Sequence, residues 1–282
     1  MKFQLLDSLT LPGNPAKPND DAMAHDDHAA VVFDGATGLG ENLMPGNSDA
    51  AWLATFGSRR LLAHLREGDA PKDAARAAMQ DAQKSYEALR RRAPKERWEM
   101  PFASMMLACA NAKGAAMLWF GDCAALVKRP DAPVEVVGVA FDARALESSR
   151  VAKLAAKHGL TPAAGINRPE YMDALRKARS YTNTEKGHYI FAPDPVGADH
   201  ASEQKIVAPA GTVFLLCSDG FLALASDYGA YTAQSLIEAA QNKGLKKLGE
   251  ELRAIEAGDA DGLKYPRFKT SDDATALLLR LV

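Results

Sequence analysis

Three cysteines in 282 residues are too few, and odd in number, to form a disulfide framework. Cys109, Cys123 and Cys217 all lie inside apolar runs, which reads as small core residues in a reducing compartment. No Cys/His cluster has zinc-ligand spacing. No apolar run approaches the roughly 20 residues needed to span a bilayer, and the opening Met1-Lys2-Phe3-Gln4 lacks the apolar core of a signal peptide, so the expectation is a cytoplasmic protein. There is also no excess of positive charge. The net charge is −2, which argues against nucleic acid or an anionic membrane as main partner. Gly35, Gly38 and Gly40 follow a strand-like run, but no Gly-Lys-Ser/Thr comes after them and their spacing is not that of a dinucleotide fingerprint.

What the chain does have is aspartate at the tips of apolar runs. Ala29 to Phe33 leads into Asp34, Ala116 to Gly121 into Asp122, and Val213 to Ser218 into Asp219, while Asp272 precedes the run Ala274 to Val282. Singly, each could be an ordinary turn residue, a common use of Asp. Converging in a partly buried cleft, they would repel one another and rise in pKa unless divalent cations neutralised them. Hard oxygen ligands favour magnesium or manganese over zinc. Two such ions would lower the pKa of a water between them and hold a phosphoryl group for in-line attack. The residues therefore point to metal-assisted phosphoester hydrolysis.

Strand-like runs fall near 2–9, 28–34, 103–111, 115–121, 123–129, 134–140, 188–192, 204–208, 212–217 and 274–282. The turn Asn111-Ala112-Lys113-Gly114 and the pair Gly121-Asp122 suggest consecutive hairpins, hence antiparallel sheet. Helical periodicity marks 48–67, 71–92, 145–158, 168–179, 232–242 and 245–257. Helices in two separate blocks can cover two sheet faces, so the pattern predicts one α+β domain over 1–282, a four-layer α/β/β/α sandwich of two antiparallel sheets flanked by helices. The irregular segment 180–203, with Gly187, Pro193, Pro195 and Gly197, is a candidate flap. His25 and His28 read as exposed hairpin residues, and Arg90-Arg91-Arg92 as a helix C-terminus favoured by the macrodipole.

In order along the chain, Asn19-Asp20-Asp21-Ala22, Val32-Phe33-Asp34-Gly35, Phe120-Gly121-Asp122-Cys123, Leu216-Cys217-Ser218-Asp219-Gly220 and Ser271-Asp272-Asp273-Ala274-Thr275 stand out. Together they resemble the metal-dependent protein phosphatase family, the type 2C serine/threonine phosphatases, in a divergent bacterial-type form. The resemblance spans nearly the whole chain through five motifs that are each weak alone. It implies two Mn2+ or Mg2+ ions, with Asp34 bridging both and the Gly35 carbonyl on one. Asp219 and Asp272 would complete the first ion's shell, Asp20 would serve the second, and Asp21 would orient metal-bound water. Asp122 would take an outer metal role. The reaction implied is dephosphorylation of protein phosphoserine or phosphothreonine by a hydroxide bridging the ions, with small phosphoesters as a further substrate class.

The sequence departs from the family at three positions. Ala36 stands where many members have a histidine that protonates the leaving group, a function typically worth about 10²–10⁴-fold. The phosphate-binding arginine ahead of the acidic pair is absent, leaving Lys17 as the nearest cation, a point charge in place of a bidentate fork. Ala223 occupies the position of a further aspartate for a third metal. These departures keep two alternatives open: a phosphatase-like binding module with little turnover, and an aspartate-nucleophile phosphohydrolase suggested by Phe33-Asp34-Gly35-Ala36-Thr37.

Overall fold

The computed structural model describes residues 1–166 and 168–282, without the side chains of 140, 142–145 and 147. Two five-stranded sheets form the centre. One runs β1 (Phe3–Leu11), β10 (Ala274–Leu281), β9 (Val213–Cys217), β6 (Ala124–Lys128), β7 (Glu135–Val137). The other runs β2 (Ala22–His25), β3 (Ala29–Gly35), β4 (Ala103–Asn111), β5 (Gly114–Phe120), β8 (Ser202–Val207). Every strand pairing among the described residues is antiparallel. That removes the aspartate-nucleophile alternative, whose fold needs a parallel sheet.

Strand periodicity divides the apolar residues among three cores. In β3, Ala29, Val31 and Phe33 face α1 (Asp49–Arg66) and α2 (Pro71–Leu89), meeting Leu53, Leu61, Ala78 and Met79. Ala30 and Val32 face the other way, into the layer between the sheets with Met106, Leu216, Leu277 and Leu279. Leu215 and Leu278 turn from that layer onto α5 (Asp219–Ser226), α6 (Ala233–Lys243) and α7 (Leu245–Gly258), against Phe221, Leu236, Leu248 and Leu252. Fully burying a side chain of this size stabilises by about 1.5–3 kcal/mol. The layer order is thus the α/β/β/α sandwich that the sequence pattern predicts.

Local signals set the helix starts. Ser48 caps α1 by accepting from the Ala51 amide at 3.2 Å, and Pro71 occupies the first turn of α2. The Asp49 carboxylate accepts from the amides of Leu43 and Met44 at 2.7 and 2.9 Å, tying the preceding loop to the helix. Between β7 and β8 lie α3 (Ala140–His158) and α4 (Pro169–Arg179).

Some expectations are corrected. The run 188–192 makes one antiparallel bridge, Phe191 to Ala103, and no strand. The short strand β2 and the helix α5 were not expected from the sequence pattern. Helix α2 stops at Leu89, and Arg92 beyond it pairs with Glu99 and Glu41 at 2.9 and 3.1 Å, so ion pairs hold the arginine run's last member where the macrodipole was expected to act. Within 180–203, the Asn183 side chain bonds both the amide and the carbonyl of Ile190, and Arg97 donates to the carbonyls of Thr182 and Asn183 and to Asp194. Phe191 packs edge-on against Phe33. Among the described residues no helix is long and apolar enough to cross a membrane.

Candidate functional site

One edge of the sandwich collects the acidic residues, and the strand directions explain why. β9 ends where β10 begins, so Asp219 and Asp272 flank the same edge, and the Ser218 amide donates to the Thr275 carbonyl at 3.0 Å across that junction. β3 packs across the inter-sheet layer on β9 and β10. Asp34 follows Ala30 and Val32 on the inter-sheet face by period two, which aims it into the cleft between the sheet ends. β2 pairs with β3 from Ala22 to Phe33, which places Asp20 and Asp21 beside the same strand end.

Two close backbone crossings fix this geometry. A Cβ at Gly35 would stand 2.4 Å from the Asp20 carbonyl oxygen, and the Gly35 amide donates to that oxygen at 3.1 Å. A Cβ at Gly220 would stand 2.0 Å from the Asp273 carbonyl oxygen. Only glycine lets these segments approach so closely. Asp273 then joins the acidic loops: its two carboxylate oxygens accept from the amides of Gly13 and Asp20, each at 2.7 Å.

Each predicted site residue has a definite environment. Asp21 is buried; its Oδ2 accepts from Ser218 Oγ at 2.8 Å, while its Oδ1 is buried without a hydrogen-bond partner. Burial, and then the charges of Asp273, Asp272 and Asp219, hold its carboxyl well above the usual range despite the Ser218 bond. Asp34 is raised in the same way, by burial and then by Asp219, Asp21, Asp122 and Asp272. Burial also raises Asp20, with Ser48, which donates to its Oδ1, acting in the opposite direction. Asp219 is buried in the first turn of α5, where the helix N-terminus favours a carboxylate. Asp122 accepts from Ser104 Oγ at 2.6 Å, and Ser104 is the cross-strand partner of Asp34. Asp272 accepts from the Lys269 ammonium at 2.5 Å. Lys17 is exposed in its turn, and its ammonium bonds none of these carboxylates.

The residues agree in kind with a hard divalent cation. The donor set is all carboxylate, a buried acceptor stands unused at Asp21, and the groups act on one another's charge. Yet among the described residues no three acidic, histidine or cysteine side chains close on a single point tightly enough to hold an ion as they stand. Lys269 brings a cation to the cluster. Burial works to lower its amine, but Asp272, by charge and hydrogen bond, and Asp34 and Asp219 more than offset that and hold it above the ordinary lysine value.

No family model matches this sequence, and no curated protein is found similar to it. Solved structures are similar from end to end. The serine/threonine phosphatase PstP/Ppp of Mycobacterium tuberculosis shares 16% identity over 100% of this chain and 99% of its own, with a TM-score of 0.59. The catalytic domain of PstP in complex with two manganese ions shares 17% over 100% and 99%, with a TM-score of 0.55. The PPM Ser-Thr phosphatase MsPP from Mycobacterium smegmatis, in complex with cacodylate, shares 15% over 99% and 100%, with a TM-score of 0.58. The chain has the PPM phosphatase fold.

Within that fold, several site residues lay beyond the reach of sequence reasoning. Ser218, Ser104, Asp273 and Lys269 bind or neutralise the acidic groups, and the first two act on residues far away in the chain. Asp273 lies in the last of the five motifs, but its bonds to the amides of Gly13 and Asp20 reach across the whole chain. Arg179 was also missed: from the end of α4 it donates to the Thr37 carbonyl at 2.5 Å, three residues past Asp34, and burial lowers its guanidinium to about 10. Among the cysteines, Cys123 and Cys217 are buried and Cys109 is half-buried, and all three are free. Burial pushes the Cys109 thiol up to about 12 and raises Cys123 and Cys217 as well, so all three stay protonated and inert.

Proposed function

We propose that this chain is a metal-dependent phosphoester hydrolase acting on protein phosphoserine and phosphothreonine, as one domain over 1–282 in the cytoplasm. One observation carries the reading: at the common edge of both sheets, a buried Asp21 oxygen without a partner stands among Asp34, Asp219 and Asp272. Such a group is costly unless something cationic or proton-donating meets it. The fold shared with PPM phosphatases, one of them in complex with two manganese ions, supports the same reading.

In this reading Asp34, the Gly35 carbonyl, Asp219, Asp272 and Asp20 would hold two Mn2+ or Mg2+ ions, with Asp122 outside them. Bound there, the ions supply charge neutralisation and a water of lowered pKa. The chain's own residues do the rest. Ser218 fixes one oxygen of Asp21 and leaves the other without a partner, where it would orient a water supplied with the ions. Ser48 and Asp273 hold Asp20 by side chain and by backbone. Ala36 offers no proton to the leaving group, so esters with good leaving groups react faster than alkyl esters.

The test is hydrolysis of p-nitrophenyl phosphate and of phosphoserine peptides with Mn2+, alongside Asp34→Asn and Asp219→Asn. Activity that needs the metal and is lost in both folded variants is expected; a folded wild type inactive on both substrates contradicts the reading. The ion pair of Lys269 on Asp272 favours a second reading, a phosphatase-like binding module with little turnover. Calorimetry showing no divalent binding would select it.

A further inference from the structure

Lys269 reaches the acidic cluster by construction. Its neighbour Arg267 is buried and bonds Asp259 at 2.7 Å, the carbonyl of Thr270 at 3.0 Å and that of Tyr265 at 2.8 Å. The other neighbour, Phe268, packs edge-on against Tyr171, and its carbonyl accepts from the Gly165 amide at 3.2 Å. Both flanks being fastened, the backbone delivers the Lys269 stem to the cluster, where its ammonium lies 2.5 Å from Asp272 Oδ1 and its charge acts on Asp34 and Asp219. These three carboxylates are the ones proposed above for the first ion. Asp273 adds a further negative charge to the cluster, and Lys269 offsets an excess of that sign.

From this geometry we infer that Lys269 is a built-in counter-ion that occupies the place of the first divalent cation and must be displaced before that ion can bind. The inference rests on the metal reading above. A cation held by the chain at high effective concentration competes with one from solution, so divalent affinity is set against the ammonium. The unused oxygen of Asp21 is bonded by no ammonium. The lysine therefore acts as a positioning residue that sets the metal concentration at which the site fills.

The experiment is calorimetric titration of the metal-free full chain with MnCl2, comparing wild type with Lys269→Met and Lys269→Arg. Lys269→Met should bind Mn2+ at least about tenfold more tightly, the equivalent of 1.4 kcal/mol. Lys269→Arg keeps the competing charge and should stay near wild type. Lys269→Gln carries the same expectation as the methionine variant should that one fold poorly. In the metal-free state Lys269→Met should melt lower than wild type, and Mn2+ should raise its melting temperature by more. Equal or weaker Mn2+ binding by both neutral variants overturns the inference and leaves the metal reading standing. If neither wild type nor any variant binds Mn2+, the metal reading fails and the inference falls with it.

Discussion

Asp21 and Asp272 belong to one cluster and solve the same problem in opposite ways. Asp272 is partly exposed and faces an ammonium of the chain's own. Asp21 is buried, has one oxygen bonded by Ser218 and the other by nothing, and feels the charges of Asp273, Asp272 and Asp219. One side of the site is neutralised from within; the other is left strained toward an external cation. The difference teaches that the cluster is not a uniform acidic patch, since a patch serving only solubility would face water and would not bury an unpaired oxygen.

The largest effect expected comes at Asp34, on which the charges of both Asp21 and Asp272 act. Asp34→Asn removes a charge that the metal mechanism needs and should lower Mn2+-dependent p-nitrophenyl phosphate turnover by more than about 100-fold, as loss of several kcal/mol of charge stabilisation implies. The same variant should be no less stable than wild type without metal, because a repelling carboxylate has gone; circular dichroism melts check this. A second way to sharpen the contrast is pH. Asp21 and Asp34 have folded-state values raised above the ordinary 3.8, so the folded chain holds protons there that the unfolded chain releases. Their contribution to stability is full below 3.8 and is lost as pH rises through the raised values. Urea midpoints of metal-free protein should fall over that window, less so in Asp21→Asn, and saturating Mn2+ should flatten the profile.

Smaller effects belong to the supports. Asp273→Ala loses two charged hydrogen bonds, to Gly13 and Asp20, and should cost about 2 kcal/mol in urea unfolding while weakening Mn2+ binding. Ser48→Ala removes the α1 cap and the donor to Asp20, for about 1 kcal/mol. Lys17→Ala should leave KM for phosphopeptides unchanged, since its exposed ammonium touches none of the acids.

Much of this was legible in the sequence because strand periodicity is local. The runs ending at Asp34 and Asp219 alternate between two cores, and that alternation alone places their aspartates at strand tips. The two-sheet sandwich followed from hairpin turns and two helical blocks. Helix α5 was hidden because Ser218-Asp219-Gly220 reads as a strand ending in a turn, whereas Gly220 permits a crossing under Asp273 that turns the chain directly into a helix. β2, Ala22–His25, carries no β-branched residue and owes its extended form to pairing with β3. The partners of the acids were invisible for a different reason. Ser218 with Asp21 and Asp273 with Asp20 join opposite ends of the chain, and no spacing rule links them. Lys269 is only three residues from Asp272, yet that spacing in a loop says nothing until the packing of Arg267 and Phe268 fixes its direction.

Crystals of the full chain grown with MnCl2, with anomalous differences measured at the manganese edge, show whether these acids gather a divalent ion in place of Lys269. Manganese peaks bounded by Asp34, Asp219 and Asp272 are expected, with the Lys269 ammonium moved off Asp272. Saturating manganese with no peak there, and Lys269 still on Asp272, would contradict the metal reading.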